Sequence, residues 1–290
     1  MTYSIVARDA VNGDLGIAVQ SKFPNVGGLV PYAEAGIGAV ATQAFPNARH
    51  GPSALELLRH GATPEQVVTI LAQHDPGRDQ RQYAVIDVSG EASAYTGTEV
   101  FTWGGWAGSQ RGVDCHAQGN GLAGEEVTAA MVAEFEHRTG TLAERLINAL
   151  RAGEAAGGDV RGQQSAALLV VRKDGGYGGL DDRLVTISIY DHEQPIDELA
   201  RCYKLHRLTY FPSDRANLIE IGPELARELK QILKRREFID QVDGEWGADA
   251  VAAMQRFMGW ENYDNRIRDD ALIDSEVLAD IQARHAQTTA

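Results

Sequence analysis

The second residue, Thr2, carries the side chain in this sequence that is best placed for nucleophilic chemistry. It follows the initiator Met1 and opens the stretch TYSIVARD, in which Tyr3, Ile5 and Val6 are typical of a β-strand. A strand that starts there would hold the α-amine in a sheet, whereas chain termini are normally frayed. A threonine at the first position can attack a carbonyl carbon with its hydroxyl while its own amine takes the proton. This chemistry requires removal of Met1, which the small side chain of Thr2 permits.

Two further residues near this end could assist. Ser4 shares a strand face with Thr2 because side chains alternate, and we interpret it as a hydrogen-bonding, substrate-facing neighbour since its amine is not free. Lys22 ends a second strand, 15–21, that returns beside the first. A cation there would lower the proton affinity of the α-amine, whose reference pKa is about 8, and keep it a free base. The alternative is a solvated lysine.

Side-chain amides occur in three small, apolar or glycine-rich stretches. They are Gln43 in VATQAF, Gln118 and Asn120 in QGNGLAG, and Gln164 in RGQQSA. Such groups can stabilise an oxyanion or hold an amide substrate, and one donor is worth roughly 3 kcal/mol in the transition state. We assign Gln118 and Asn120 to the oxyanion and Gln43 and Gln164 to the substrate pocket. Each amide could equally bond backbone in a turn.

Two other polar positions have a structural explanation as well as a functional one. Asp181, with Asp182, follows GGYGGL and could orient a substrate amine, although glycine and aspartate also dominate ordinary hairpin loops. His116 could serve as a base for a serine, but the sequence lacks the GxSxG turn that would hold one. We therefore place Asp181 in the substrate pocket and interpret His116 as structural.

The elements that would position these residues alternate between groups of strands and pairs of helices. The predicted strands are 2–9, 15–21, 37–45, 83–88, 92–96, 113–118, 165–171 and 184–190, and the predicted helices cover 53–59, a segment from 63, 124–137, 142–151 and 196–208. Short connections predict antiparallel pairing. Two sheets stacked face to face with helices outside fit this order, which predicts an α+β fold, a four-layer αββα sandwich.

The last quarter of the chain has a different character. Residues 212–221, which include Pro212, lose periodicity and are predicted to be a linker between a domain at 1–211 and a small all-α domain at 222–290. In the second domain Leu225, Leu229 and Ile232 recur at helical spacing among charged residues.

Composition limits the classes of function. The net charge of -14 and the pI of about 5.0 argue against a nucleic-acid partner. Two cysteines, Cys115 and Cys202, without a His/Cys cluster indicate neither a disulfide framework nor a zinc site, so we expect no metal and no cofactor. The sequence shows no signal peptide and no membrane-spanning apolar run, which predicts a cytoplasmic protein without a membrane partner.

Five ordered motifs resemble a bacterial family catalogued as domain of unknown function 1028. They are TYSIVARD at 2–9, ATQAF at 41–45, QGN with LAG at 118–124, QSAAL at 164–168 and GGLDDR at 178–183. The resemblance covers residues 1–211, with Ala117 and Gly121 standing where the family pattern has Val and Leu. That family looks like a branch of the N-terminal-nucleophile (Ntn) hydrolases, which implies the αββα sandwich and hydrolysis of amide bonds.

The C-terminal domain is similar to the helical peptidoglycan-binding-like domain through VDGEWG at 242–247 and QRF at 255–257. Because no secretion signal accompanies it, we favour docking or assembly of a homo-oligomer over contact with cell wall.

These observations predict an Ntn-type amidohydrolase that cleaves an amide, imide or peptide bond in a small molecule. The predicted catalytic residues are Thr2, Lys22, Gln118 and Asn120, and the predicted substrate-binding residues are Ser4, Gln43, Gln164 and Asp181. The alternative is a catalytically inactive binding or scaffold protein that keeps the fold.

Overall fold

The computed structural model describes residues 1–285, except for the side chains of residues 102 and 103. The strands in this part of the chain are β1 Thr2–Arg8, β2 Leu15–Ser21, β3 Pro31–Glu34, β4 Gly38–Ala44, β5 Arg81–Asp87, β6 Ala92–Thr96, β7 Trp106–Gly112, β8 Cys115–Leu122, β9 Ser165–Val171, β10 Arg183–Ile189, β11 Leu218–Glu220 and β12 Leu272–Asp274. The helices are α1 His50–Arg59, α2 Pro64–His74, α3 Glu126–His137, α4 Leu142–Ala155, α5 Pro195–Tyr210, α6 Pro223–Arg235, α7 Ala248–Trp260 and α8 Ser275–His285.

A six-stranded antiparallel sheet in the order β10-β9-β2-β1-β8-β7 carries the N-terminal strand near its centre. In β1, Thr2 lies opposite Ser21 of β2 on one side and Asn120 of β8 on the other. All three positions are buried. The start of the chain is therefore held by hydrogen-bonded neighbours on both sides, unlike a frayed terminus.

A second antiparallel sheet, in the order β3-β4-β5-β6, packs face to face with the first. Small and β-branched side chains such as Val6 and Val19 from the first sheet and Ala41 and Ile86 from the second fill the space between them. Helices α1 and α2 cover the outer face of the second sheet, and α3 and α4 cover the outer face of the first. The predicted α+β fold with antiparallel sheets is confirmed.

Local sequence explains how the covering helices begin. Thr63 caps α2 in a capping box with Gln66, and Pro64 occupies the first helical position. Thr141 and Glu144 form the same arrangement at the start of α4. These caps satisfy backbone N–H groups that the first turn of a helix leaves without a partner. They fix the starting points of the helices that pack on the two sheets.

The chain divides into two compact units, of which the first is Met1–Tyr203 and the second begins at Lys204. The division falls inside α5 and thus differs from the predicted linker at 212–221. The reason is that residues 218–220 of this segment form strand β11, which pairs with β12 of the second unit. Helices α6, α7 and α8 pack around Leu229, Phe257 and Val277, so the second unit is mainly helical with a two-stranded sheet. The predicted domain 222–290 extends beyond the described residues at 286–290.

Among the helices of residues 1–285, none combines the length and the apolar character that crossing a bilayer requires.

Candidate active site

Thr2 is the first residue of β1, and it is only 7% exposed. Its side chain lies on the face of the first sheet that meets the second, as does that of Ser4 two residues later. Thr2 Oγ1 is 2.9 Å from Ser21 Oγ, and Ser21 Oγ donates to the Met1 carbonyl oxygen at 2.8 Å. Because a serine hydroxyl has one proton, Thr2 is the donor in the first of these bonds. Two consecutive hydrogen bonds thus connect the threonine hydroxyl to the carbonyl oxygen of Met1.

The Met1 carbonyl oxygen accepts a second hydrogen bond, from Arg161 Nη2 at 2.7 Å. Burial, together with the nearby guanidinium of Arg161, lowers the pKa of the Met1 α-amine from 8.0 to about 6, although Asp159 opposes the shift. The Met1 α-amine is therefore mostly uncharged at neutral pH. An uncharged amine can accept a proton, as a general base must.

Arg161 is held in place by Asp159, whose side chain is completely buried. The carboxylate accepts from the guanidinium at 2.8 and 3.1 Å and from the backbone N–H groups of Arg161 and Lys22 at 3.0 and 3.3 Å. A charge this deeply buried needs such complete pairing. Sequence analysis did not identify Asp159 or Arg161 as site residues. The available signal was an acid and a base two residues apart in the glycine-rich run GGDVRG.

A network of buried amides lies beside Thr2, between the two sheets. Gln43 Nε2 donates to the Thr2 carbonyl oxygen at 3.2 Å, and Ser4 Oγ donates to Gln43 Oε1 at 2.7 Å. Gln118 Nε2 donates to Ser4 Oγ at 3.3 Å and to the Ala41 carbonyl oxygen at 3.0 Å. The structure thus brings together five of the residues singled out from the sequence. They are Thr2, Ser4, Gln43, Gln118 and Asn120.

Gln82 connects this network and was not found by sequence analysis. Its Oε1 accepts from Gln43 Nε2 at 2.8 Å and from Asn120 Nδ2 at 2.9 Å, and its Nε2 donates to the Gly119 carbonyl oxygen at 2.7 Å. It is fully buried on β5. The only signal in the sequence was a glutamine at the start of the apolar run YAVI. Gln82 therefore joins side chains of both sheets at one point.

Two buried acceptors in the network have no hydrogen-bond partner among the described residues. They are Gln118 Oε1 and Asn120 Oδ1. A buried polar atom left without a partner costs about 1–3 kcal/mol. Such atoms beside Thr2 offer acceptors for a ligand or for water.

Lys22 and Gln164 lie outside this buried cluster, which corrects their predicted roles. Lys22 is exposed, and its Nζ donates to the Gln163 carbonyl oxygen at 3.0 Å. Side chains alternate along a strand, so the residue after Ser21 is directed away from the face that holds Thr2. Gln164 donates its backbone N–H to the Ser21 carbonyl oxygen at 3.1 Å. Both residues line an open cavity of about 500 Å³ with residues 191–194. Arg161, rather than Lys22, is the cation at the N-terminal amine.

Asp181 lies at the opposite end of the first sheet from Thr2. It belongs to the loop that follows Val171, and Val171 pairs with Leu15, which in turn lies opposite Arg8. Seven strand residues separate the two ends, or roughly 20 Å. Asp181 Oδ1 accepts from the backbone N–H of Arg183 at 2.9 Å, as a turn residue does. Its predicted place in the Thr2 pocket is therefore wrong, because the hairpin that carries it opens away from that end.

His116 gives the structure a testable dependence on pH. It is buried opposite Val6, both ring nitrogens lack partners within the described residues, and burial, with Arg111 nearby, lowers its pKa from 6.5 to about 4. The unfolded chain then binds the proton more readily below about pH 6.5, so stability falls as the pH is lowered toward 4. When the pH is lowered from about 7 to 5, His116 should lower the free energy of unfolding by about 2 kcal/mol.

Denaturant unfolding of the wild type and of His116→Leu at both pH values measures this contribution. We expect a smaller pH dependence in the variant, and equal dependence in both proteins would refute it. Comparison of the two proteins cancels the contribution of His50, whose pKa burial also lowers.

Within the described part of the chain, no three His, Cys, Asp or Glu side chains come together in a way that could hold a metal ion. The site consists of hydroxyls, amides, one guanidinium and one carboxylate.

The chain was compared with protein families, curated proteins and solved structures. A family model described as "Family of unknown function (DUF1028)" matches residues 2–199. A crystal structure of a Silicibacter pomeroyi protein assigned to the same family model is 34% identical in sequence, with a TM-score of 0.64. The alignment covers 71% of this chain and 89% of that protein. A search of curated proteins gave no match.

Proposed function

The chain belongs to the DUF1028 family, and we propose that it is an Ntn-type amidohydrolase with the αββα sandwich of that class, acting on an amide, imide or peptide bond of a small molecule. One observation carries the proposal. The Thr2 hydroxyl lies buried between the sheets at the first position of the central strand, and Ser21 connects it to the N-terminal peptide. A hydroxyl nucleophile and an amine that can act as its base are thus positioned by one residue.

The reaction would begin once removal of Met1 frees the amine of Thr2. Thr2 Oγ1 attacks the substrate carbonyl carbon, and its proton passes to the α-amine of the same residue. Ser21 Oγ, which is 2.9 Å from Thr2 Oγ1, orients the attacking hydroxyl. The amine then protonates the leaving nitrogen, so that the C–N bond breaks and an ester forms on Thr2. Water, activated by the same amine, hydrolyses this ester and restores the hydroxyl. The buried surroundings that lower the pKa of the Met1 amine support an uncharged amine here.

Asn120 is the better candidate of the two predicted oxyanion donors. Its Cα lies opposite that of Thr2, and its Nδ2 makes one hydrogen bond, to Gln82 Oε1, which leaves a second amide proton for an oxyanion. Both amide protons of Gln118 are used, on Ser4 Oγ and on the Ala41 carbonyl. We therefore assign Gln118 to positioning of Ser4 and Gln43 rather than to the oxyanion.

Access to Thr2 would also depend on removal of Met1. The Met1 side chain packs against Gly121, where even a Cβ atom would overlap it, and Gly121 has a φ of +62° that favours glycine. Loss of Met1 would leave an opening beside Gly121 and next to the Thr2 amine. A small substrate could then approach the backbone closely.

Intact-mass analysis of the protein purified without a tag, combined with a panel of small amides and cyclic imides, tests the proposal. We expect a mass lower by one methionine residue and release of amine from at least one class of compound. Retention of Met1 in essentially all molecules, together with no turnover, would contradict the proposal and favour the alternative of a binding or scaffold protein.

For the second unit we propose docking or assembly of a homo-oligomer. The family model ends at residue 199, so the helices from Pro223 onward are an addition to the matched region. Trp260 is 70% exposed at the end of α7. A large exposed aromatic side chain is suited to burial in an interface.

A further inference from the structure

We propose that Arg161 and Ser21 form a subsite for a carboxylate of the substrate, so that the preferred substrates are N-acylated amino acids with a free carboxyl group. The inference rests on the proposed function in one respect, namely that Met1 has been removed. In the structure the Met1 carbonyl oxygen occupies the position between the two donors, at 2.7 Å from Arg161 Nη2 and 2.8 Å from Ser21 Oγ. When Met1 leaves, both donors lose their acceptor.

Asp159 holds the guanidinium of Arg161 in one position, so the donor of the proposed subsite is fixed before a ligand binds. The completely buried carboxylate of Asp159 binds Nε and Nη2 of Arg161 and also two backbone N–H groups. Arg161 Nη2 has two protons. One is donated to Asp159, and the other is donated to the Met1 carbonyl oxygen. The Arg161 side chain is 38% exposed, so a ligand can reach it.

The charge of the donors favours a carboxylate over a neutral carbonyl. Hydrogen bonds from a guanidinium to an anionic oxygen are about twice as strong as those between neutral groups. The chain as a whole carries a net charge of -14, which repels anions over most of its surface. Because Asp159 balances the charge of Arg161, the attraction for an anionic oxygen at this end would come from the short charged hydrogen bond that Arg161 Nη2 can still donate.

The position of the subsite restricts where the carboxylate lies in the substrate. Ser21 Oγ contacts both the Met1 carbonyl oxygen and Thr2 Oγ1, so the bound oxygen is one hydroxyl group away from the nucleophile. The carboxylate must then be within a few bonds of the scissile carbonyl carbon. An amino acid acylated on its nitrogen has this arrangement, with the carboxylate on the carbon next to the amide nitrogen.

The test compares matched pairs of compounds on protein that lacks Met1. N-acetyl amino acids and the corresponding N-acetyl amino acid amides differ only in the charge of one group. We expect kcat/KM to be about 10- to 100-fold higher for the carboxylates, which is the range of a charged hydrogen bond. In Arg161→Met this preference should fall to near one, and in Arg161→Lys it should be partly restored.

Arg151→Met is the matched control, because Arg151 is an exposed arginine that pairs with an aspartate, Asp197, in the same way as Arg161 pairs with Asp159. It should keep the wild-type preference. Loss of Arg161 leaves Asp159 unpaired and could affect folding. NMR titrations of the wild-type protein that lacks Met1, with N-acetylglycine and with N-acetylglycinamide, therefore provide a second readout.

The outcomes separate the two proposals. Hydrolysis without preference for the carboxylate would overturn the subsite and leave the amidohydrolase proposal intact. Selective binding of N-acetylglycine without hydrolysis of any compound would support the subsite and contradict the proposed function. Equal or absent binding of both compounds, with no preference in turnover, would overturn the subsite.

Discussion

Replacement of Thr2 with alanine should abolish amide hydrolysis, with a loss of kcat of about 10⁴-fold or more, while thermal stability changes little. The variant removes the attacking oxygen, and loss of a catalytic hydroxyl is among the largest effects of a single substitution in an enzyme of this kind. It also removes one hydrogen bond, to Ser21 Oγ, which should cost about 1 kcal/mol of stability. Alanine is small enough for Met1 to be removed as before. Steady-state rates and thermal unfolding of the two proteins measure both effects.

Two control variants sharpen this prediction. Thr2→Ser keeps a hydroxyl at the same position and should retain a measurable part of the activity. Ser4→Ala removes the other hydroxyl on the same strand face, which bonds Gln43 and Gln118. It should lower turnover without abolishing it, because Ser4 supports the site and does not form the acyl ester. Full activity in Thr2→Ala, or complete loss in Ser4→Ala alone, would reject Thr2 as the nucleophile.

The largest loss of stability should come from Gln82→Met, at about 3–5 kcal/mol of unfolding free energy. Methionine has a similar length but cannot accept the protons of Gln43 Nε2 and Asn120 Nδ2 or donate to the Gly119 carbonyl. All of these groups are buried between the sheets. In a buried network each group left without a partner adds its desolvation cost. Urea unfolding of the wild type and the variant gives the difference.

Gln110→Met is the matched control, because Gln110 is exposed on β7 and the same chemical change there leaves no buried group unpaired. Its effect should stay within about 0.5 kcal/mol. Equal costs for the two variants would contradict the role of Gln82 as the connection between the sheets. Activity should fall in Gln82→Met as well, since Asn120 loses the acceptor that orients its amide.

Sequence periodicity predicted buried strands with regular alternation best, and it was less accurate for β8, which was predicted at 113–118. The runs at 2–9, 15–21 and 165–171 correspond closely to β1, β2 and β9, because alternation and β-branched residues are strong signals in buried strands. Two strands of the first unit were not predicted, nor were the short strands β11 and β12 of the second unit. β3 has four residues and begins with Pro31, and β7 begins in the glycine-rich segment before Gly108. Neither carries a periodic apolar pattern long enough to recognise.

Site residues could be predicted where their chemical type was unusual for the surrounding sequence. They could not be predicted where their position depends on the order of the strands in the sheet. Thr2, Gln43 and Asn120 stood out as polar groups in apolar or glycine-rich strands, and the structure brings them together. The end of the sheet at which Asp181 lies depends on strand order, and the direction in which Lys22 projects depends on the face of β2 that meets the second sheet. A single sequence reveals neither. Arg161 and Asp159 reach Met1 because the segment after α4 returns beside β8, through a bridge between Leu122 and Asp159. That return is a long-range contact without a local signal.

The proposed mechanism requires a covalent intermediate on Thr2, the first residue of the processed chain. Peptide mapping by mass spectrometry, after rapid acid quenching of the protein with an N-acetyl amino acid or an activated acyl analogue, detects it directly. We expect an N-terminal peptide that begins with Thr2 and carries the acyl group on that residue, and no such adduct in Thr2→Ala. An N-terminal peptide that begins with Met1 in all molecules, or an acyl group attached at any other residue, would contradict the mechanism.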